Sequence, residues 1–156
     1  LALMTQGDRV IEFKSRFGDP ETQVVLARLA SPLSELLMAS ALGTLDSLSP
    51  LKWKEQAAVT VVMAAKGYPE SPETGALISG LDFVPSDVTV FHAGTKADGE
   101  AICVSGGRVL SVTALGKDLH EARDRAYAGV AKIHFDGEHH RTDIALKAAD
   151  GEITVP

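Results

Sequence analysis

The chain has 156 residues, of which 45% are hydrophobic and 23% charged, and this ordinary globular balance excludes an intrinsically disordered protein. Its net charge is −6, with no lysine–arginine cluster, so we expect no nucleic-acid partner, because neutralising phosphates supplies most of that affinity. No apolar run reaches the ~20 residues of a membrane span, so we expect no membrane partner, and a single cysteine, Cys103, predicts a reducing compartment, the cytoplasm.

The first elements in chain order are a hairpin and two helices. Leu1–Met4 and Val10–Phe13 are predicted to be its strands, and a chain that opens inside a sheet indicates a fragment or a processed product. Asp19, followed by proline and glutamate, is typical of a helix start, and Ser31 with a following proline repeats the signal. Gly43 is predicted to end the second helix.

A polar connection, residues 44–55, is the predicted domain boundary, and beyond it the apolar pattern changes to that of short strands. We expect turns at 96–99 and 105–107, and such short turns predict antiparallel pairing. Asp118 with Glu121 marks the start of a long helix that reaches about Lys132. The predicted strands are Ala57–Ala65, Leu77–Leu81, Val88–Ala93, Ala101–Val104, Arg108–Ala114 and, near the end, Thr142–Ala145.

These elements predict an α+β fold: a strand hairpin and two helices, followed by an antiparallel sheet packed on one long helix. The expected division is a first segment of residues 1–50, an α+β domain of residues 51–147 and a flexible tail of residues 148–156.

The stretch from 10 to 23 has the highest density of functional groups. Glu12, Lys14 and Arg16 alternate along a predicted strand and therefore share one face, and a helix start follows at once. Such a group could organise a metal-bound polyphosphate or a carboxylate ligand. The spacing alone favours the simpler alternative, a surface strand with ion pairs followed by an ordinary helix cap.

A second candidate is the turn Ser105–Arg108. Successive glycines let backbone N–H groups approach an anion, and Arg108 can pair with a phosphate through two donors, although a plain hairpin turn with a surface arginine fits the pattern equally well. His92, at a strand end, either lines the same pocket or is a buried, hydrogen-bonded histidine, which we favour.

The first stretch resembles the signature Glu-Phe-Asn-x-Arg-Phe-Gly-Asp-Pro-Glu-Thr-Gln of the phosphoribosylamine–glycine ligases, a family of the ATP-grasp superfamily. The matching residues are Glu12, Phe13 and the run from Arg16 to Gln23. Several motifs in register are more specific than one short match, and this resemblance covers residues 1–147. It continues through Val90–Thr95, Gly106–Leu110, Val112–Gly116, Ala126–Tyr127, Ile133–Gly137 and Arg141–Ile144.

The resemblance implies an ATP-dependent ligase that joins glycine to 5-phosphoribosylamine in purine synthesis, with Mg²⁺ or Mn²⁺ as cofactor. It implies that Glu12 is a metal ligand, that Arg16 stabilises the transferred phosphoryl charge, and that Asp19 either orients the substrate amine or only caps the helix. The remaining substrate-binding residues that it implies are Gly18, Pro20, Gly106, Gly107 and Arg108.

The sequence departs from the family pattern at Lys14, where the signature has asparagine. An ammonium group cannot ligate Mg²⁺ and repels it, so the second metal ligand is missing or replaced. We expect the missing N-terminal portion of the enzyme to be the principal partner, and the fragment to be inactive alone. The alternative is a non-catalytic module that binds a phosphorylated metabolite or a partner chain.

Overall fold

The computed structural model describes residues 10, 13 and 15–153. Most of the predicted N-terminal hairpin, together with Glu12 and Lys14, lies outside these described residues.

Two three-stranded antiparallel sheets form the centre of the described chain, where the sequence predicted a single sheet. The first has the order β1-β6-β3 and the second the order β2-β5-β4. The strands are β1 (Ala57–Ala64), β2 (Leu77–Ile78), β3 (Val88–His92), β4 (Thr95–Asp98), β5 (Ala101–Val104) and β6 (Arg108–Gly116). The α+β class and the antiparallel pairing are confirmed.

Four α-helices and two short 3-10 turns are the other regular elements in the part of the chain that the structure describes. The helices are α1 (Glu21–Arg28), α2 (Leu33–Leu42), α3 (Leu119–Val130) and α4 (Leu146–Ala149), and the 3-10 turns are Leu45–Ser47 and Leu81–Phe83. Among the described residues, no helix has the length and apolar character needed to cross a membrane.

The core lies between α3 and one face of the first sheet. Val61 of β1 pairs opposite Val112 of the central strand β6, and both are fully buried. Gly129 lets α3 approach closely, because a Cβ atom there would lie 2.8 Å from Val88 Cγ1 and 2.9 Å from Val112 Cγ1. Each buried aliphatic side chain contributes roughly 1.5–3 kcal/mol, so this layer holds the domain together. Cys103 is also buried.

The start of α3 agrees with the sequence prediction. The Asp118 carboxylate accepts a hydrogen bond from the Glu121 amide at 2.8 Å, and the Glu121 carboxylate accepts one from the Lys117 amide at 2.6 Å. These two bonds satisfy N–H groups that a helix start leaves without intrahelical partners.

Two local predictions in the second sheet were wrong. Residues 96–98 were predicted to be a turn, but they belong to β4, because Asp98 pairs with Ala101 and the turn contracts to two residues at Gly99, where φ is +61°. The strand predicted from Leu77 to Leu81 ends at Ile78, because Gly80 turns the chain at φ +84° into a 3-10 turn.

The strand predicted at Thr142–Ala145 does not form. Backbone carbonyl groups of this segment instead accept hydrogen bonds from α3 side chains: Arg123 donates to Thr142 O at 2.6 Å and to Ile144 O at 3.1 Å, and Tyr127 donates to Arg141 O at 2.6 Å. Residues 148 and 149, assigned from the sequence to the tail, form the end of α4.

The opposite face of the first sheet carries α1, which contacts β1 and β6. Backbone hydrogen bonds join the segment after α1 to the end of the predicted boundary segment. The Ala30 amide donates to Lys52 O at 2.9 Å, and the Lys54 amide donates to Arg28 O at 2.8 Å. These bonds hold the end of α1 beside the segment that leads into β1.

Candidate functional site

Two stretches that the sequence singled out separately meet in the folded chain. Arg108, the first residue of β6, donates a hydrogen bond from Nη1 to the backbone oxygen of Asp19 at 2.8 Å. Its Nη2 lies 3.3 Å from Asp19 Oδ2. The signature stretch and the glycine turn therefore form one site, held by an ion pair at the junction of α1 and the first sheet.

Asp19 does not cap α1, and the capping alternative for this residue was wrong. The helix begins at Glu21 with Pro20 in the cap position, and no side-chain cap hydrogen bond forms there. The Asp19 carboxylate is directed sideways instead: Oδ1 accepts a hydrogen bond from Gln23 Nε2 at 2.8 Å, while Oδ2 faces Arg108.

Thr22, in the first turn of α1, is hydrogen-bonded to the backbone just before the helix. Gly18 O accepts from the Thr22 amide at 3.1 Å and also from the Thr22 hydroxyl. The Thr22 N–H is therefore not free for an anionic ligand. Gly18 and Pro20 flank Asp19, and Pro20 occupies the cap position of α1.

Arg16 lies outside the Asp19–Arg108 pair. Its guanidinium is exposed and donates from Nη1 to the neighbouring Phe17 O at 2.7 Å. Among the described residues, Arg16 forms no side-chain bond to either member of the pair, so the structure does not join it to Asp19. Glu12 and Lys14 lie outside the described residues.

The glycine turn is packed closely against two neighbours. The Gly94 amide donates to Arg108 O at 2.8 Å, and the Ser105 amide donates to Gly94 O at 2.7 Å. A Cβ atom on Gly107 would lie 2.4 Å from the Tyr68 ring, and one on Gly94 would lie 2.8 Å from Gly106 Cα. The glycines thus allow close approach of backbone and ring, which sets the position of Arg108.

A groove of about 560 Å³ opens beside the pair, between α1 and the edge of the first sheet. His92 lies on it, exposed rather than buried as predicted, with Nδ1 3.1 Å from the Thr95 hydroxyl. Most of its lining is apolar, from residues such as Phe17, Leu26 and Phe91, and the polar part includes Gln23, Lys54, Thr89, His92 and Thr113. The groove is therefore polar at several points and reaches the backbone of the signature stretch.

The predicted metal site depends on Glu12 and on position 14, which lie outside the described residues. Within residues 10, 13 and 15–153, no three histidine, cysteine, aspartate or glutamate side chains come together as a metal site. By residue type, the carboxylate of Glu12 is a suitable ligand for a hard cation and the ammonium of Lys14 is not.

The structure also contains site residues that the sequence analysis did not single out. Gln23 holds the Asp19 carboxylate, and Gly94 and Tyr68 enclose the glycine turn. The spacing of Asp19 and Gln23, four residues apart at a helix start, is a sequence signal for such a bond. Nothing in the sequence spacing indicates the contacts of Gly94 and Tyr68.

The fold and the site define an α+β domain in which a carboxylate–guanidinium pair lies beside a groove of mixed polar and apolar lining. A sequence profile of the family "Phosphoribosylglycinamide synthetase, C domain" matches residues 58–147. The chain belongs to this family.

The chain is also similar to full-length ligases. It is 61% identical over 153 residues to a phosphoribosylamine–glycine ligase of Streptomyces coelicolor, covering 96% of the chain and 37% of the relative. It is 49% identical over 156 residues to the ligase of Mycobacterium tuberculosis, covering 99% of the chain and 36% of the relative.

A solved structure agrees with these sequence relatives. The crystal structure of a phosphoribosylamine–glycine ligase from Thermotoga maritima matches with a TM-score of 0.73 and 33% identity, over 92% of this chain and 35% of that one. The chain therefore spans a little over a third of the length of the relatives it matches.

Proposed function

We propose that this chain is the C-terminal part of an ATP-dependent ligase that joins glycine to 5-phosphoribosylamine to form glycinamide ribonucleotide. The single observation that supports this most strongly is the contact between Asp19 and Arg108. It unites the two motifs of the resemblance in one site of a chain that belongs to the family. Such a pair offers a negative and a positive group to a substrate that carries an amine and a phosphate.

Arg108 is suited to the phosphate group. Its guanidinium has five N–H donors, and the bonds to Asp19 use only part of them. The side chain is 39% exposed, so a phosphate can reach the remaining donors. Gly106 and Gly107 support this role by holding the start of β6 against Gly94 and Tyr68.

Asp19 is suited to the amine. Its carboxylate is 31% exposed and is held on both oxygens, so it presents a fixed acceptor to an N–H group. Arg16 is exposed at the same end of α1, where it can stabilise negative charge on a transferred phosphoryl group. Gly18 and Pro20 complete this side of the substrate site.

ATP, in this proposal, supplies the phosphoryl group that activates the glycine carboxylate. Glu12 would hold a divalent cation, Mg²⁺ or Mn²⁺, through its carboxylate oxygens. Lys14 does not suit the second ligand position, and its positive charge would take the place of part of the cation's charge.

The rest of the ligase is the proposed partner of this chain, and α2 provides its docking surface. Met38 and Leu42 of α2 are 62% and 67% exposed, and Leu45 just beyond the helix is 52% exposed. Within α2, Ala39 is the buried residue. Apolar side chains grouped in this way mark an interaction surface, and the additional chain of relatives almost three times as long is the proposed cover for it.

A second candidate is a non-catalytic module that binds a phosphorylated metabolite or a partner chain. Lys14, in place of the asparagine of the family signature, favours it. The groove beside Asp19 and Arg108 would then bind the phosphorylated compound without any chemistry.

The test is an assay of glycinamide ribonucleotide formation by a full-length ligase that carries this sequence, compared with the isolated chain. We expect product from the full-length protein and none from the chain. Asp19→Asn and Arg108→Ala in the full-length protein should each reduce product formation. Normal turnover in both variants would rule out the proposed site, and an inactive full-length protein that still binds ribose 5-phosphate would establish the non-catalytic module.

A further inference from the structure

The contact between Gln23 and Asp19 has a defined orientation. Gln23 Nε2 lies 2.8 Å from Asp19 Oδ1, and an ionised carboxylate can only accept hydrogen bonds. The amide nitrogen must therefore face Asp19, and the amide oxygen Oε1 must point away. The donor role of Gln23 follows from the chemistry of its partner.

The amide oxygen of Gln23 has hydrogen-bonding capacity that the described residues do not fill. Oε1 is buried and accepts no hydrogen bond from the described residues. A buried acceptor without a partner lowers stability, and an apolar side chain of similar length would avoid that loss. A glutamine at this position is therefore hard to explain by packing alone, which leaves its donor bond to Asp19 as the reason for an amide here.

Each oxygen of the Asp19 carboxylate contacts a different side chain. Gln23 binds Oδ1 and Arg108 faces Oδ2, so the carboxylate cannot rotate without losing one of the two contacts. The terminal torsion of an aspartate is otherwise broad, because its preferred values are weakly separated. Gln23 thus supplies half of the restraint that fixes the direction of the Asp19 oxygens.

We infer that Gln23 is a positioning residue, which acts on the reaction through Asp19 and not through contact with the substrate. Its amide N–H holds the Asp19 carboxylate in the direction needed to accept a hydrogen bond from the substrate amine, while Arg108 holds the other oxygen. This inference rests on the proposed function, because it takes Asp19 as a substrate-binding residue.

The test compares two substitutions at this position in a full-length ligase that carries this sequence. Gln23→Met keeps the length of the side chain and removes the donor. Gln23→Glu keeps the shape and places a second carboxylate against Asp19. Gln56→Met is the matched control, because it is the same substitution at an exposed glutamine that does not line the groove beside the pair.

We expect Gln23→Met to lower kcat/KM for 5-phosphoribosylamine about tenfold, the size of one lost hydrogen bond to a charged group, and Gln23→Glu to lower it further. The KM for ATP should stay unchanged in both, and Gln56→Met should match the parent. In the isolated chain, Gln23→Met should leave the thermal midpoint unchanged or raise it, because no buried acceptor then lacks a partner.

Asp19→Asn, measured alone and together with Gln23→Met, separates this inference from the proposed function. If Gln23 acts through Asp19, the double variant loses no more activity than Asp19→Asn alone. Normal kinetics in Gln23→Met beside an impaired Asp19→Asn would overturn the inference and leave the proposed function standing. Normal kinetics in Asp19→Asn would overturn both. A lower thermal midpoint with equal losses for ATP and 5-phosphoribosylamine would show that Gln23 is a packing residue, contrary to the inference.

Discussion

At the residue scale, the candidate site depends on one arginine that joins distant parts of the chain. Arg108 contacts both the backbone oxygen and the carboxylate of Asp19, so it fixes the start of α1 against β6. Its planar group can do this and still offer N–H donors to a ligand. A lysine at this position would supply charge without the paired geometry.

We predict that Arg108→Ala in a full-length ligase raises the KM for 5-phosphoribosylamine about ten- to a hundredfold, because a hydrogen bond to a charged group contributes roughly 1.5–3 kcal/mol. Steady-state kinetics with each substrate varied in turn measure this. Arg108→Lys should recover only part of the loss. An equal rise in the KM for ATP would show that the variant is misfolded rather than impaired in phosphate binding.

Lys14 leads to a second prediction at this scale. A monovalent ammonium cannot polarise a phosphoryl oxygen as a divalent cation does, so the enzyme should be slow and should depend weakly on Mg²⁺. Lys14→Asn should raise the turnover rate and sharpen the magnesium dependence, as seen in rates measured over a Mg²⁺ titration. Unchanged turnover, together with strong activation by Mg²⁺ already present in the parent, would contradict this interpretation of position 14.

At the element scale, close backbone approaches decide how the second sheet meets α3. Gly80 turns the chain after β2, and its neighbour Ser79 bridges to His134, beyond the end of α3. A Cβ atom on Gly80 would lie 1.8 Å from Lys132 O, which is a collision with backbone. Gly99, in the β4–β5 turn, has a similar positive φ but no heavy atom within 4 Å of the added Cβ.

The two glycines form a matched pair for a stability prediction. Gly99→Ala should destabilise the chain by about 1–2 kcal/mol, the cost of a left-handed backbone in a residue with a side chain. Gly80→Ala should cost at least about 2 kcal/mol more, because the backbone must also move away from Lys132. Urea unfolding of the isolated chain measures both. Equal losses would show that the contact between Gly80 and Lys132 has no energetic weight.

At the scale of the whole molecule, the chain combines a buried core with an apolar surface. Leu110 is fully buried in the core, whereas Leu42 is 67% exposed on α2. In the isolated chain we expect Leu110→Ala to cost about 2–5 kcal/mol and Leu42→Ala no more than about 0.5 kcal/mol, both measured by chemical unfolding.

In a full-length ligase, Leu42→Ala should be clearly destabilising, because the remainder of the enzyme would cover α2. The difference between the stability loss in the full-length ligase and that in the isolated chain measures how far the longer chain buries Leu42. A neutral Leu42→Ala in both settings would exclude α2 as the surface on which the remainder of the ligase packs.

We also predict that the isolated chain does not bind Mg-ATP measurably. ATP-grasp enzymes hold the nucleotide between two subdomains, and this chain spans 35% of the solved ligase that it matches. Isothermal titration of the chain with Mg-ATP tests this, with the full-length ligase as the positive control. Binding in the micromolar range by the chain alone would contradict the prediction.

The sequence by itself determined the features that depend on near neighbours. Asp118 and Glu121 indicated the start of α3 because a helix cap is a contact across three or four residues. Alternating and continuous apolar runs indicated β1 and β6 because side-chain burial follows the strand period. Gly43 indicated the end of α2 through its preference for positive φ, observed at +68°.

The tertiary structure alone decided which groups meet. Asp19 has the residue type and position of a helix cap, yet its carboxylate contacts Gln23 and Arg108, which is 89 residues away. Likewise, residues 142–144 were predicted to lie in a strand, but the carbonyl oxygens of Thr142 and Ile144 accept hydrogen bonds from Arg123 on α3 instead. Local patterns cannot report these outcomes, because a polar group takes the partner that the packed chain brings nearest, and packing depends on contacts between residues far apart in the sequence.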